Sequence, residues 1–472
     1  MKKLIRSFFK GVEFFKEDIL LLLPFSLGII LTGNEKIIYI WFALIMAKEG
    51  YKVFKGKTSL EEMLFTLTLY SYIVAGNYTP MVFTGFLLIY YLYKIFKGHR
   101  HVSFSKKEKW IILAVAIYMV FGVLYNKVPL INVLLYLMYN FTFIAMAFIV
   151  VKCKPYEHGR TLTKVMNTMV IAQMLHLIIY IPLRMDVIIL HRIGDWAIGT
   201  LGTSQGPMLF NLFIFSFIRF FVMYKESRSK NLIVWMGLMF IFSLLTVSTA
   251  LTMLFIGTLI LYGIIFSPRR LKVVVLTSVI AFAAIFYIAS PSWIRYQVNS
   301  TLFDPAFRRD NIKKLAYYED TFITAPKKYH SFALFGGGIG SYSSRAALTS
   351  SGYYASWYNK LNLPIYNGKY MRKYVKPRLY LRYGLSVVDQ PTSQYIAIMG
   401  ELGYIGIFVV LALILTNFVR SDNNKLTILY FSIILIIDNW VEYPKISVLF
   451  FVTYYLIESY CLNKESKTKR LD

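Results

Sequence analysis

Three glycine-rich stretches, each with charged or hydroxyl side chains beside it, are the chemically informative parts of this chain. The first, LFGGGIGSY at 334–342, places four glycines in five positions. Glycine lets backbone N–H groups come close to an anion, so Gly337, Gly338 and Gly340 are candidate substrate contacts. No GK[ST] follows and no strand alternation precedes, which removes the Walker loop and the dinucleotide fingerprint and leaves a tight turn as the simpler alternative. The second stretch, 192–207, contains Arg192, Asp195, Gly199, Gly202, Gln205 and Gly206. The third runs from Asp389 through Ser393 and Tyr395 to Gly400, Glu401, Gly403 and Gly406. It opens a helix, with Asp389 and Ser393 available as caps and Glu401 about two turns inside. The segment 291–390 holds 15 Lys and Arg, five acids (Asp304, Asp310, Glu319, Asp320, Asp389) and 13 tyrosines. Cations draw phosphate or phospholipid head groups, and tyrosine faces stack on sugars or lie at a membrane interface. A loop lying on anionic lipid fits that composition as well as a substrate site does.

The elements that carry these stretches are apolar helices. Of 472 residues, 57% are hydrophobic and 16% charged, against about 25% charged in soluble proteins. Segments 110–125, 130–151, 232–247 and 273–289 contain no charge, the pattern of bilayer-spanning helices. Soluble enzymes, nucleic-acid-binding domains and disordered chains are excluded together. Apolar windows predict up to 14 spans, at 21–31, 37–47, 63–75, 81–95, 110–125, 130–151, 165–183, 208–222, 232–247, 250–266, 273–289, 395–418, 426–437 and 447–462. The second and third are short, so the expectation is an all-α polytopic membrane protein of 12–14 transmembrane helices. It divides into an N-terminal bundle (1–290), one large external loop (291–390), and C-terminal helices with a tail (391–472). The N-terminus is basic and then apolar without a small-residue cleavage site, which predicts an uncleaved first span. No repeat of fixed period stands out.

The net charge of +28 sets the sidedness. With the N-terminus inside, inner connections hold 31 Lys and Arg, while the short outer ones hold five: Lys36, Lys127, Arg184, Arg192 and Lys445. The positive-inside rule therefore predicts cytoplasmic termini and an external 291–390 loop. All three glycine-rich stretches then share the outer face. Cys153 and Cys461 fall near the inner face, consistent with reduced thiols. Arg219, within a span near its inner end, is expected to snorkel to that surface.

Taken in order, the stretches resemble motifs of the O-antigen polymerase/ligase superfamily of bacterial surface-polysaccharide assembly. LFGGGIGSY is similar to the family's "lfGvGlGsf", GELGYIG at 400–406 to its "aElGliG" helix, and AIGTLGTSQGPML at 197–209 to its "GtfGnpN" segment. The likeness covers about 192–410, with one large external loop in the matching place. It implies a type C glycosyltransferase-like bundle in the bacterial cytoplasmic (inner) membrane. The implied donor is an undecaprenyl-pyrophosphate-linked oligosaccharide, used without metal, nucleotide sugar or other cofactor. Expected partners are that donor, membrane lipids and a chain-length regulator protein, with no nucleic acid. In such a reaction arginines stabilise the pyrophosphate leaving group, and a base deprotonates the acceptor hydroxyl.

The sequence departs from the family in two places. The family's His-Asn pair, nine residues before the Glu of its "ElG" helix, is Thr392 and Ser393 here, and Gln205 stands for its usual Asn. Ligases depend on that His more than polymerases do, so the polymerase reading is favoured and O-antigen ligase is the alternative. Asp389 becomes the candidate base, with helix capping as its plain alternative and His330 as the only histidine of the loop. Arg308 and Arg309, near the family's essential arginine, are candidate pyrophosphate contacts, with Arg309 catalytic; a solvated turn is the other reading. Arg192 at the bundle mouth is either a further contact or an interfacial anchor. Tyr395 is a candidate sugar contact, Glu401, Asp438 and Glu442 are expected to orient the arginines, and His176 is expected to be buried and hydrogen-bonded. A lipid-linked oligosaccharide flippase is the rival from another class. It should carry midplane charges in many helices and short loops on both sides, whereas this chain has one 100-residue loop.

Overall fold

The computed structural model describes residues 12–154, 156–183, 199–201, 205–246, 248–266, 268–269, 272–273, 276–277, 288, 292–304, 306–307, 313–379 and 390–468. Helices α1 (Lys16–Thr32), α2 (Ile38–Phe54), α3 (Leu60–Tyr70), α4 (Thr79–Phe96), α5 (Lys106–Tyr125) and α6 (Leu130–Ala147) come first. They are followed by α7 (Gly159–Leu183), α8 (Gly206–Ser227), α9 (Lys230–Leu245) and α10 (Thr249–Phe266). The loop segment adds α11 (Ser292–Phe303), α12 (Lys313–Glu319), α13 (His330–Phe335) and α14 (Arg345–Ser350). The chain closes with α15 (Gln394–Arg420), α16 (Lys425–Ile434) and α17 (Pro444–Thr468). Among the described residues there is no strand.

Seven of these helices are long and apolar enough to cross a membrane: α4, α5, α6 with its π-helical extension to Cys153, α7, α8, α15 and the 444–464 part of α17. The chain is thus an all-helical protein with the make-up of a membrane bundle. Local signals set the helix ends. A capping box of Ser105 and Glu108 starts α5, Pro207 sits in the first turn of α8, and Gly33 closes α1 in the left-handed conformation. Burial sorts the spans: α8 is 78% buried inside the molecule and α5 only 6%. Since α5 is apolar all round, its exposed faces suit lipid. The segment 273–289, expected as a span, lies almost wholly outside the described residues.

Two single-residue expectations have clear outcomes. His176 is buried, with its Nδ1 2.6 Å from the Ser26 hydroxyl. Arg219 does not snorkel. It is 1% exposed, and its Nη2 donates to Oδ1 of Asn167 on α7 instead of reaching solvent.

The 291–390 segment folds with a small core of its own: Tyr317, Phe332, Tyr342, Leu348, Tyr370, Met371 and Tyr374, packed with Ile396 of α15. Several tyrosines that composition assigned to sugars or the interface are therefore core residues. Their rings fill volume while their hydroxyls find polar neighbours, as between Tyr342 and Thr321 at 2.9 Å.

Candidate functional site

The LFGGGIGSY run lies directly on the GELG turn of α15. The backbone of α15 is broken at Gly403, whose φ of +64° is left-handed, and a broken helix leaves carbonyls without partners. The glycine run fills that gap. Gly337 N–H donates to the Gly400 carbonyl at 2.7 Å, Gly338 N–H to the Glu401 carbonyl at 3.0 Å, and the Tyr118 hydroxyl to the Leu402 carbonyl. The Glu401 carboxylate then turns back into the run. Its Oε2 accepts from Gly340 N–H at 2.8 Å, and its Oε1 from Tyr342 and Ser344 N–H at 3.2 Å each. Alternate N–H groups gathered on one anion make a nest-like cradle, of the kind the glycine run suggested for an anion. The anion seated there is the chain's own carboxylate.

Glycine is required here by space. A Cβ on Gly336 (φ +62°) would stand 2.4 Å from the Glu401 carbonyl carbon, and one on Gly340 (φ +72°) 2.6 Å from the Asn132 carbonyl oxygen. On the facing side, a Cβ on Gly400 would fall 1.9 Å from the Tyr342 ring. Asn132, at the start of α6, completes the seam: its Nδ2 donates to the Gly340 carbonyl at 2.5 Å and to the Ser350 hydroxyl at 2.7 Å.

Beside the nest is a buried charge cluster. The Arg345 backbone N–H donates to Glu442 Oε2 at 2.6 Å, and its Nη2 donates to the two Asp438 oxygens at 3.2 and 3.3 Å. The guanidinium also lies 3.4 Å from the centre of the Tyr443 ring, a cation–π contact. Burial acts to lower the Arg345 pKa, but Tyr443 and the Asp438 carboxylate beside the guanidinium outweigh it, so the pKa is raised. Burial is the main reason the Glu442 carboxyl is pushed up to about 8; Glu401 nearby adds to it, and Arg345 opposes it. Asn439 Nδ2, between the two acids in sequence, donates to the Ser343 carbonyl at 3.1 Å.

The loop clamps α16 as well. Lys314 Nζ donates to the Ile437 carbonyl at 2.9 Å and also to the Thr392 carbonyl, Tyr318 donates to Ile436 at 2.8 Å, and Ser393 to Leu435 at 3.2 Å. These carbonyls belong to the turn at 435–437 that follows α16, where a cation and hydroxyls satisfy groups that have no helical partner. Exposed cations gather elsewhere on the loop. Lys369 and Lys373 stand 5.2 and 5.1 Å from the Tyr329 ring, and Lys373 donates to its hydroxyl at 2.7 Å. That hydrogen bond and the neighbouring ammonium groups lower the Tyr329 pKa.

The expected site residues divide accordingly. Gly337, Gly338 and Gly340 are brought together with Glu401, but their N–H groups are engaged within the chain. Glu401 receives backbone N–H groups in place of a guanidinium. Asp438 accepts from Arg345, which was not among the candidate arginines. Tyr395 donates its hydroxyl to the Ser432 carbonyl at 2.9 Å. His330 is exposed at the start of α13. Arg192, Arg308, Arg309 and Asp389 lie outside the described residues. Sequence reasoning missed Arg345 and Asn132. Each carried a signal: Arg345 is the only Lys or Arg between 329 and 359, and Asn132 is a polar residue at the head of an apolar run. No family model, curated protein or solved structure matches the chain.

Proposed function

We propose that this chain is a polysaccharide polymerase of the bacterial inner membrane. In this reading it has 12–14 spans, cytoplasmic termini and an external 291–390 loop. It joins oligosaccharide repeat units from undecaprenyl-pyrophosphate-linked donors without a metal. One observation carries the proposal: the two stretches that resemble family motifs, 334–342 and 400–406, pack against each other through paired backbone groups and one carboxylate. That seam ties the middle of the loop to α15, beside α5 and α6. The exposed cations around Tyr329 add a phosphate-attracting surface.

In the proposed reaction the acceptor hydroxyl attacks the anomeric carbon and the sugar–pyrophosphate bond breaks. The electron pair leaves on the lipid pyrophosphate, and the proton passes to Asp389. Arg192, Arg308 and Arg309 balance the leaving charge, and losing one such guanidinium lowers a rate by about 10²–10³. The test is deletion in the native strain followed by glycan gels, with Arg309→Ala as a complementing allele. Loss of long chains with single repeats retained, restored by the wild type and not by Arg309→Ala, supports the polymerase. Loss of all attached glycan points to a ligase, and unchanged glycan discards the proposal.

A further inference from the structure

Arg219 is a buried cation that this chemistry does not use. It lies on α8 three residues after Ser216, so the two share a helix face. The Asn167 amide is fixed by donating from Nδ2 to the Glu13 carbonyl at 2.8 Å, which turns its oxygen toward the guanidinium. The Phe220 ring lies 4.7 Å away. Among the described residues, Nε and Nη1 of Arg219 have no hydrogen-bond partner, and neither does the fully buried Ser216 hydroxyl. No carboxylate pairs with Arg219 among the described residues, and segment 1–11, which precedes Glu13, contains no acid. Burying a guanidinium without a paired anion is costly, and here the residue carrying the open donors shares a helix face with the residue carrying the open hydroxyl. We infer that Arg219 and Ser216, positioned by Asn167, form a binding site for a phosphate group.

Phosphate fits because its several oxygens can take the remaining guanidinium donors and the serine hydroxyl together. The location fits too. Asn167 follows Arg160 and Lys164 on α7, and Arg219 precedes Lys225 and Arg228 at the end of α8, so this end of the bundle is rich in cations. Such a surface concentrates anionic phospholipid. The phosphate is therefore supplied either by an anionic lipid head group or by inorganic phosphate.

The experiment is thermal unfolding of the purified full-length protein in uncharged detergent. Three additions are titrated: phosphatidylglycerol, inorganic phosphate, and a glycosyl-diacylglycerol that lacks phosphate. The first or second should stabilise the wild type, and the phosphate-free lipid should not. Stabilisation by phosphatidylglycerol alone assigns the head group, and stabilisation by inorganic phosphate assigns the free ion. In Arg219→Gln the half-effective concentration should rise about tenfold or more, as expected for losing a charge-assisted contact. If that variant does not fold, Ser216→Ala and Arg219→Lys decide, each with a several-fold weaker response. Equal responses in wild type and variants, or no response to either phosphate source, overturns the site.

Discussion

Glu401 and Glu61 are two buried carboxylates near opposite ends of α6, and they are held in opposite ways. Glu61, near Cys153, accepts from Lys94, from Arg100 Nη1 at 3.3 Å and from the Tyr91 hydroxyl, with His158 Nε2 3.3 Å away. Glu61, Glu157 and His158 could bring ligand atoms within 4.8 Å of one another, but Lys94 and Arg100 already supply the positive charge a metal would bring. Glu401, near Asn132, takes three backbone N–H groups, and no ammonium or guanidinium hydrogen-bonds to it among the described residues. Side-chain cations reach their partner over a range of positions and partly face solvent, with Lys94 27% and Arg100 17% exposed. A backbone nest works only if the chain passes within hydrogen-bond distance, which glycine alone permits at 336 and 340. Glu61 is therefore held by charge and Glu401 by shape.

The comparison yields a graded set of expectations. The largest loss should come from Gly336→Ala, which combines left-handed strain with a clash against the backbone of Glu401 and should cost about 2–5 kcal/mol. Gly98→Ala, with φ +72° and open space around it, should cost only about 1–2 kcal/mol. Equal losses for the two in detergent unfolding would mean that the nest is not a tight seam.

Next in size is Glu401→Ala, which strands three buried N–H groups and should cost about 3 kcal/mol or more. Glu61→Gln releases cations that can turn to water and should cost only about 1 kcal/mol. Salt separates them, since about 1 M shortens the screening length to roughly 3 Å. High salt should shrink the Glu61→Gln loss and leave the Glu401→Ala loss unchanged; the reverse pattern would break the distinction between charge and shape.

The mildest change at slightly acid pH should be Glu442→Gln, because the amide resembles the protonated carboxyl. With its pKa pushed from 4.5 to about 8, Glu442 holds its proton more tightly in the folded state than in the unfolded one. Its contribution is fully present below about pH 4.5 and is lost as pH rises toward 8. Melting temperature followed across that range should fall more steeply in wild type than in Glu442→Gln. Parallel curves would assign the pH dependence to another group.

How much of this was legible in the sequence differs by element. The uncharged run 110–125 became α5, and 130–151 became α6 with its extension, because an apolar segment of that length has no good alternative to a helix in lipid. The window at 395–418 also became a helix, α15, yet nothing in its hydropathy marked the break at Gly403. The glycines at 336–340 announced a close approach of backbone; Gly337 and Gly338 N–H meet carbonyls, and Gly340 N–H meets a carboxylate. Which anion they approach was not legible, because Glu401 lies 61 residues from Gly340.

What the sequence determined by itself was the set of local and additive properties: apolar length, the cation asymmetry, the caps, and the three glycine-rich stretches. Each depends on neighbours in the chain or on composition summed over it. The tertiary structure alone decided which buried charges find partners. Arg345 meets Asp438 from 93 residues away, while among the described residues the one side-chain hydrogen bond of Arg219 goes to an amide. Pairing of that kind is set by where packed helices bring distant side chains together, and the energy of a buried charge depends almost entirely on that neighbour.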